Sequence, residues 1–188
     1  MRHHPKVAVC PKMKFARGML VGLMAVLLGV GLYAVLNAQS GAVLEQWETT
    51  NGAFKIRVRR RPELLNFLPR YYYEFESQVR GAPRWKTITT LLLDDPIPVP
   101  RNQVRFLNNE IGYLFMSSTY AVTTDGGKQW WLFNVRTDPP LGTNESYLTI
   151  REVQMEWNGS GTMTVYSKSA GSMVELTTKD YGRRWSTE

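Results

Sequence analysis

The sequence of 188 residues predicts an all-β exported domain made of about three four-stranded repeats and preceded by one N-terminal transmembrane helix. Three observations support this fold class. A Thr-x-Asp-x-Gly-x-x-Trp pattern starts at Thr123 and again at Thr178. From Val43 onward, short runs of alternating apolar and polar residues are broken by glycine, proline or asparagine, which is typical of β-strands joined by turns. Before that point, a basic N-terminus leads into an uncharged apolar run.

The N-terminal region divides into a basic tail, residues 1–18, an apolar span, residues 19–36, and a linker, residues 37–42. As a helix the span would be about 27 Å long, close to the roughly 30 Å of a bilayer core. Its basic flank predicts a cytoplasmic N-terminus and an exported domain, residues 43–188, in the periplasm or outside the cell. The lipid bilayer is thus the first predicted partner. The alternative is a cleaved signal peptide that leaves a secreted domain.

The positive charge of the chain belongs mostly to this N-terminal region. Five of the 23 basic residues and none of the 16 acidic ones lie in the first 39 residues, which leaves 18 basic against 16 acidic residues in the rest. The exported part is therefore close to neutral, and we expect no nucleic-acid partner.

Residues 40–188 contain neither histidine nor cysteine. Ser-His-Asp and Cys-His catalysis, His or Cys zinc sites and disulfide bonds all need one of these residues. We therefore predict that the protein is not an enzyme, that it has no catalytic residues, and that it uses no metal and no cofactor.

The repeated motif has the composition of a tight turn between antiparallel strands. An aspartate at the start of a turn accepts hydrogen bonds from main-chain amides one to three residues on, and glycine adopts the positive φ that the reversal needs. The threonine adds a hydroxyl, and the tryptophan starts the outgoing strand with a ring that can cover the turn. The predicted structural residues are Thr123, Asp125, Gly127, Trp130, Thr178, Asp180, Gly182 and Trp185.

This motif resembles the Asp box, or BNR/sialidase repeat, which lies between the third and fourth strands of a β-propeller blade. The segments around the first copy have the order and spacing of the four strands of one blade: 104–108, 111–116, 120–124 and 130–135. They look similar to blades of the photosystem II assembly and stability factor family. The resemblance implies propeller-like blades with Asp-box turns.

An earlier repeat is predicted from strands at 53–60, 71–77 and 85–93, with 62–69 as a connection and 77–85 as a turn that has lost its aspartate. Tryptophans 85, 130 and 185 then mark three repeats, whereas closed propellers typically have 4–8 blades. The chain is too short for a full propeller, which leaves an open blade stack, a homo-oligomer that closes between copies, or a β-sandwich. The last outer strand must be very short, be completed by residues 43–47, or be left open to pair with another chain.

Two groups of residues are candidates for binding a partner, and both have an ordinary reading as strand faces. They are the basic residues Arg57, Arg59, Arg60 and Arg61 and the tyrosines Tyr71, Tyr72 and Tyr73. The sequence predicts a non-catalytic, membrane-anchored module that binds or scaffolds a protein. The family resemblance implies a membrane protein during its assembly. The alternatives are a glycan-binding module using Trp47, Trp131 and Trp157, or a degenerate, sialidase-like glycoside hydrolase.

Overall fold

The computed structural model describes residues 43–65, 68–99, 101–142 and 147–187, and of residues 63–65 and 68–69 it describes the main chain only. The predicted basic tail, transmembrane span and linker lie outside these residues. Within the described part of the chain, no helix is long and apolar enough to cross a membrane.

The described residues form an all-β structure of three antiparallel sheets, in which each strand pairs with its neighbours in chain order. The first sheet contains β1 (Glu45–Thr50), β2 (Phe54–Leu65), β3 (Leu68–Val79) and β4 (Lys86–Leu93). A short 3₁₀ turn, Arg101–Gln103, leads into the second sheet, which contains β5 (Val104–Phe106), β6 (Gly112–Met116), β7 (Thr119–Thr123) and β8 (Trp131–Asn134). The third sheet contains β9 (Leu148–Met155), β10 (Gly161–Ser167) and β11 (Ser172–Thr178). The prediction of an all-β domain is confirmed, and the described residues form three antiparallel sheets of four, four and three strands.

The second sheet is the middle layer, because both of its faces are buried. In β6, Tyr113 and Phe115 pack against the third sheet, whereas Leu114 and Met116 pack against the first. Successive side chains of a strand point to opposite faces, so one uninterrupted apolar strand supplies two cores. Neither core contains residues of both the first and the third sheet, and the three sheets therefore form a stack.

The last repeat is completed by a very short strand. Residues Thr177 and Ser186 form an antiparallel bridge, with N–H to O distances of 2.8 and 2.9 Å. The alternative that residues 43–47 complete this repeat is wrong. Instead, Trp47 of β1 pairs with Val58 of β2, and its ring is buried in the core between the first and second sheets.

The first sheet differs from the prediction at residues 62–69, which were expected to form a connection. Pro62 lies in β2 and Pro69 in β3, and the two strands pair continuously from Phe54 and Val79 to Leu65 and Leu68. Proline is compatible with these positions because each strand has a free edge there. The pairing of β1 with β2 stops at Arg60, and that of β4 with β3 stops at Tyr71.

Candidate functional site

The turn that follows β7, which we call the first motif turn (residues 123–130), is held by its own threonine and aspartate. The hydroxyl of Thr123 donates to Asp125 Oδ1 at 2.9 Å and accepts the N–H of Gly127 at 3.0 Å. Asp125 Oδ1 also accepts the N–H groups of Lys128 and Gln129, both at 3.0 Å. The carboxylate thus bonds amides three and four residues on, slightly further than the sequence indicated.

The turn that follows β11, the second motif turn (residues 178–185), repeats this arrangement. Thr178 donates to Asp180 Oδ1 at 2.9 Å and accepts the N–H of Gly182 at 3.0 Å. Asp180 Oδ1 accepts the N–H of Arg184 at 3.0 Å. Three of the four bonds recur at equivalent positions. The exception is the amide of Arg183, which bonds the main-chain oxygen of Asp180 at 3.4 Å.

Two structural features require glycine at each of these motif positions. Gly127 and Gly182 have φ values of 83° and 79°, which side chains disfavour. Each also lies against an aromatic ring of the preceding sheet. A Cβ on Gly127 would be 2.8 Å from the ring of Phe54, and one on Gly182 would be 2.7 Å from the ring of Tyr120.

The motif tryptophans contact the same two rings. Trp130 makes an edge contact with Phe54 at 6.2 Å between centroids, and Trp185 makes one with Tyr120 at 5.5 Å. The Trp130 indole N–H donates to Ser77 Oγ of β3 at 3.1 Å. Each motif turn is therefore packed on the sheet before its own. Both outgoing strand segments start one residue after the tryptophan, at Trp131 and Ser186.

Further polar contacts join each motif turn to the preceding sheet. In the first turn, Ser77 Oγ donates to the main-chain oxygen of Gly127 at 3.3 Å. In the second, the Tyr120 hydroxyl donates to the main-chain oxygen of Tyr181 at 3.0 Å. Burial holds the pKa of Tyr120 well above its usual value. That phenol therefore remains a hydrogen-bond donor at any physiological pH.

The surroundings of the Asp125 carboxylate favour its ionised form. Partial burial raises its pKa, but the hydrogen bonds from Gln129 N–H, from the Thr123 hydroxyl and from Lys128 N–H outweigh this effect, and the pKa lies below its usual value. A carboxylate with its oxygen committed to main-chain amides is suited to holding a turn.

The basic candidates do not form an uncompensated positive surface. Arg57 pairs with Glu76 at 2.8 Å, and Arg59 pairs with Glu74 at 2.8 Å and with Glu76 at 3.0 Å. Arg61 also pairs with Glu74. These residues alternate along β2 and β3, and their side chains form a ladder on one face of the first sheet.

Arg60 is separate from this ladder because its neighbours in β2, Arg59 and Arg61, occupy the opposite face. It pairs with Glu45 at 3.4 Å, across the β1–β2 boundary. The acidic partners Glu45, Glu74 and Glu76 were not predicted from the sequence. Glu74 and Glu76 alternate in β3 opposite the arginines of β2, and this is the signal that a register assignment would have revealed.

The three tyrosines do not share one surface. Tyr73 is fully buried, and its hydroxyl donates to the main-chain oxygen of Ile97 at 2.6 Å. Tyr71 is partly buried and packs against the core between the first and second sheets. Tyr72 is also partly buried, and its side chain alternates to the opposite face. This placement matches the ordinary strand reading better than a flat binding platform.

The proposed glycan-binding tryptophans are likewise dispersed. Trp47 is buried and offers no ring to a ligand. Trp131 and Trp157 are 51% and 69% exposed. The guanidinium of Arg183 lies 5.1 Å above the ring of Trp131 and also bonds the hydroxyl of Thr124.

Among the open grooves of the described residues, one borders two turns of the first sheet and another borders the second motif turn. One, of about 420 Å³, lies between the β1–β2 and β3–β4 turns beside Phe54 and Arg80. The other, of about 330 Å³, borders the second motif turn at Asp180 and Trp185. No group of three or more His, Cys, Asp or Glu side chains in the described part of the chain is arranged to hold a metal ion.

Comparison of the chain with family models, with curated proteins and with solved structures finds no match.

Proposed function

We propose that this chain is a membrane-anchored, non-catalytic module of three propeller-like blades with Asp-box turns, and that it holds or scaffolds a protein partner outside the cytoplasm. One observation carries the proposal: two motif turns with matching hydrogen bonds join consecutive antiparallel sheets into a stack. Such a stack is a rigid platform with broad outer faces, which suits binding of a macromolecule rather than enclosure of a small substrate.

The membrane anchor is proposed from residues 19–36, an uncharged span behind a basic N-terminus. The anchor would keep the β domain at the membrane surface. A membrane protein, or an exported subunit that assembles with one, is then the nearest partner.

A non-catalytic role is supported by how the carboxylates are used. Asp125 and Asp180 accept main-chain amides, while Glu74 and Glu76 accept arginines. A general acid or base needs a side chain that can exchange a proton with substrate, and these four groups are committed to other partners. The chain also has no histidine or cysteine beyond residue 39.

The proposal is tested by extracting the tagged full chain from its native membranes in mild detergent. Light scattering would give the mass of the particle, and mass spectrometry its composition. We expect the particle to contain a larger membrane protein in a fixed ratio to this chain. In the reciprocal experiment, a tag on that partner should retrieve this chain. A particle that contains only copies of this chain would contradict the scaffold proposal and favour closure of the blades between copies.

A glycan-binding role is the second candidate, because Trp131 and Trp157 are exposed. It predicts retention of the protein on a cell-wall or cell-surface polysaccharide, and loss of retention in Trp131→Ala and Trp157→Ala with the fold intact. The control variant is Met173→Ala, which truncates another exposed apolar side chain and should leave retention unchanged. Equal retention of all variants would exclude these tryptophans as the glycan site.

A further inference from the structure

A pocket of about 190 Å³ lies where strand β9, at the edge of the third sheet, meets the second sheet. We call it the basic pocket. Three basic residues and two tyrosines are among the residues that line it: Arg136, Tyr147, Arg151, Tyr166 and Lys168. No acidic residue of the described part of the chain lines it. A concave site with positive side chains and no acidic one is suited to an anion.

The walls of the basic pocket are joined by main-chain hydrogen bonds. Main-chain oxygens of the β6–β7 turn accept the N–H of Ile150 at 2.7 Å and the N–H of Val135 at 3.0 Å. These bonds hold the start of β9 and the segment that leads to Arg136 against one turn. The N–H of Lys168, just after β10, bonds the main-chain oxygen of Tyr147 at 3.3 Å. The main chain therefore brings the lining residues of three sequence regions together.

Arg151 occupies its place because of a β-bulge. Two successive residues of β10 pair with Glu152 and Ile150, so Arg151 is the extra residue of β9. A bulge redirects the side chain of the extra residue, and bulges are frequent next to functional sites. The Arg151 guanidinium lies over the ring of Tyr166, 5.1 Å from its centroid. The neighbouring carboxylate of Glu152 instead accepts the side-chain amide of Gln154 at 2.9 Å.

The positive charges of the basic pocket are held by rings rather than by carboxylates. Lys168 Nζ lies 4.9 Å from the ring centroid of Tyr147, as Arg151 lies over Tyr166. An aromatic ring positions a cation but brings no net negative charge. Within the described part of the chain none of the three basic side chains forms an ion pair, whereas the arginines of β2 all do. Their charge is therefore available to a ligand.

We propose that the basic pocket binds one phosphate group, as the free ion or as a monoester of a small molecule. A guanidinium group donates two parallel N–H groups to phosphate oxygens, and a lysine adds a point charge. Ser117 and Thr149 also line the pocket, and a hydroxyl group can donate to a further oxygen. A phosphate monoester carries a charge of about −1.5 to −2 at pH 7, which matches three cations better than the single charge of a carboxylate does.

The size of the basic pocket limits the ligand to one such group. A nucleic-acid strand needs a groove that follows several successive phosphates, and a volume of about 190 Å³ does not provide one. All of the lining residues belong to the β domain. Binding of phosphate therefore requires neither the proposed membrane anchor nor the proposed protein partner.

The test is isothermal titration calorimetry of the purified full chain in mild detergent at low, constant ionic strength. Inorganic phosphate and glycerol 3-phosphate are the probes, and acetate is the singly charged control. We expect saturable binding of one phosphate group per chain. Arg151→Met and Lys168→Met should each weaken it about tenfold, because each removes a charged donor. Lys168→Arg should retain binding.

The matched control variant is Arg84→Met, which removes the same charge from an exposed side chain in the β3–β4 turn and should leave binding unchanged. Arg151 and Lys168 are also exposed, so thermal unfolding without phosphate should give the same midpoint for all variants. This measurement separates loss of binding from loss of the fold.

Tighter binding of inorganic phosphate than of glycerol 3-phosphate would support the free ion as the ligand, and the reverse order would support an ester. Acetate that binds as tightly as phosphate would overturn the proposal in favour of a carboxylate. Absence of saturable binding to the parent protein would also overturn it. So would an equal loss of affinity in Arg151→Met and Arg84→Met, because the phosphate would then respond only to the overall charge.

Discussion

The three turns that precede the outer strands of the sheets differ in one instructive way. Two of them, the motif turns, have a preceding sheet to pack on, and both contain the aspartate and the crowded glycine. The turn between β3 and β4 belongs to the first sheet, has no sheet before it among residues 43–187 that the structure describes, and lacks the aspartate. Its glycine, Gly81, has a φ of 81° but no atom within 4 Å of an added Cβ.

The motif turns thus combine two roles, reversal of the chain and contact with the preceding sheet. Positive φ at glycine is a property of all three turns, so it belongs to the reversal of the chain. The close approach to a ring of the preceding sheet occurs only in the motif turns. We conclude that the motif fastens each sheet to the one before it, which the first sheet does not need.

The largest difference should appear when the tryptophans are removed. Trp185→Ala deletes a buried ring between the second and third sheets and should lower the free energy of unfolding by about 3–5 kcal/mol. Trp85→Ala removes a partly exposed ring that contacts the Arg57 guanidinium, and it should cost about 1 kcal/mol. Urea unfolding followed by far-ultraviolet circular dichroism measures both. Equal costs would contradict the comparison.

The glycines provide a pair matched in backbone angle. Gly182→Ala adds a methyl group against Tyr120 as well as backbone strain, and it should cost about 3 kcal/mol. Gly81→Ala adds strain at nearly the same φ without any contact, and it should cost about 1 kcal/mol. The difference between the losses of unfolding free energy in the two variants gives the cost of the contact between the added methyl group and Tyr120. If it is close to zero, the approach of the turn to the preceding sheet is unimportant.

The aspartates should differ by the number of amides they accept. Asp125→Ala leaves two main-chain N–H groups without this acceptor and should cost about 2 kcal/mol, whereas Asp180→Ala leaves one and should cost about 1 kcal/mol. Thermal unfolding of the two variants is the measurement. A greater loss for Asp180→Ala would mean that the second turn relies on contacts other than these amide bonds.

The smallest expected effect is on how the free energy of unfolding changes with pH below about 4. Because the pKa of Asp125 is lowered in the folded state, its contribution is complete above the unfolded value of about 4 and is lost as the pH falls through the folded pKa. Asp125→Asn should therefore be less stable near neutrality but lose less stability than the parent as the pH falls below about 4. Parallel profiles for the two proteins would contradict the assigned hydrogen bonds.

The second repeat was predictable because its signals are local. Short apolar segments in the order and spacing of four strands defined the strands from Val104 to Asn134, and the motif defined the turn between β7 and β8. A very short last strand was one of the three alternatives that the sequence left open for the third repeat, and the bridge between Thr177 and Ser186 forms it. Each of these inferences depends on neighbours in sequence.

What the sequence did not reveal depends on pairing between distant residues. Pro62 and Pro69 looked like breaks because the free edges beside them exist only once β1 and β4 have ended. The arginines of β2 looked like a basic patch because their partners, Glu74 and Glu76, lie on another strand. Trp47 looked accessible because its burial requires the second sheet.

A double-mutant cycle tests the fastening role of the motif most directly. Trp185→Phe and Tyr120→Leu alter a ring contact between the third and second sheets, and their unfolding free energies should be coupled by about 1 kcal/mol. The control cycle pairs Trp185→Phe with Phe54→Leu, whose rings belong to different cores and should be additive within about 0.5 kcal/mol. Coupling in the first cycle alone is the predicted result. Additivity in both cycles would contradict the conclusion that the motif turns fasten each sheet to the preceding one.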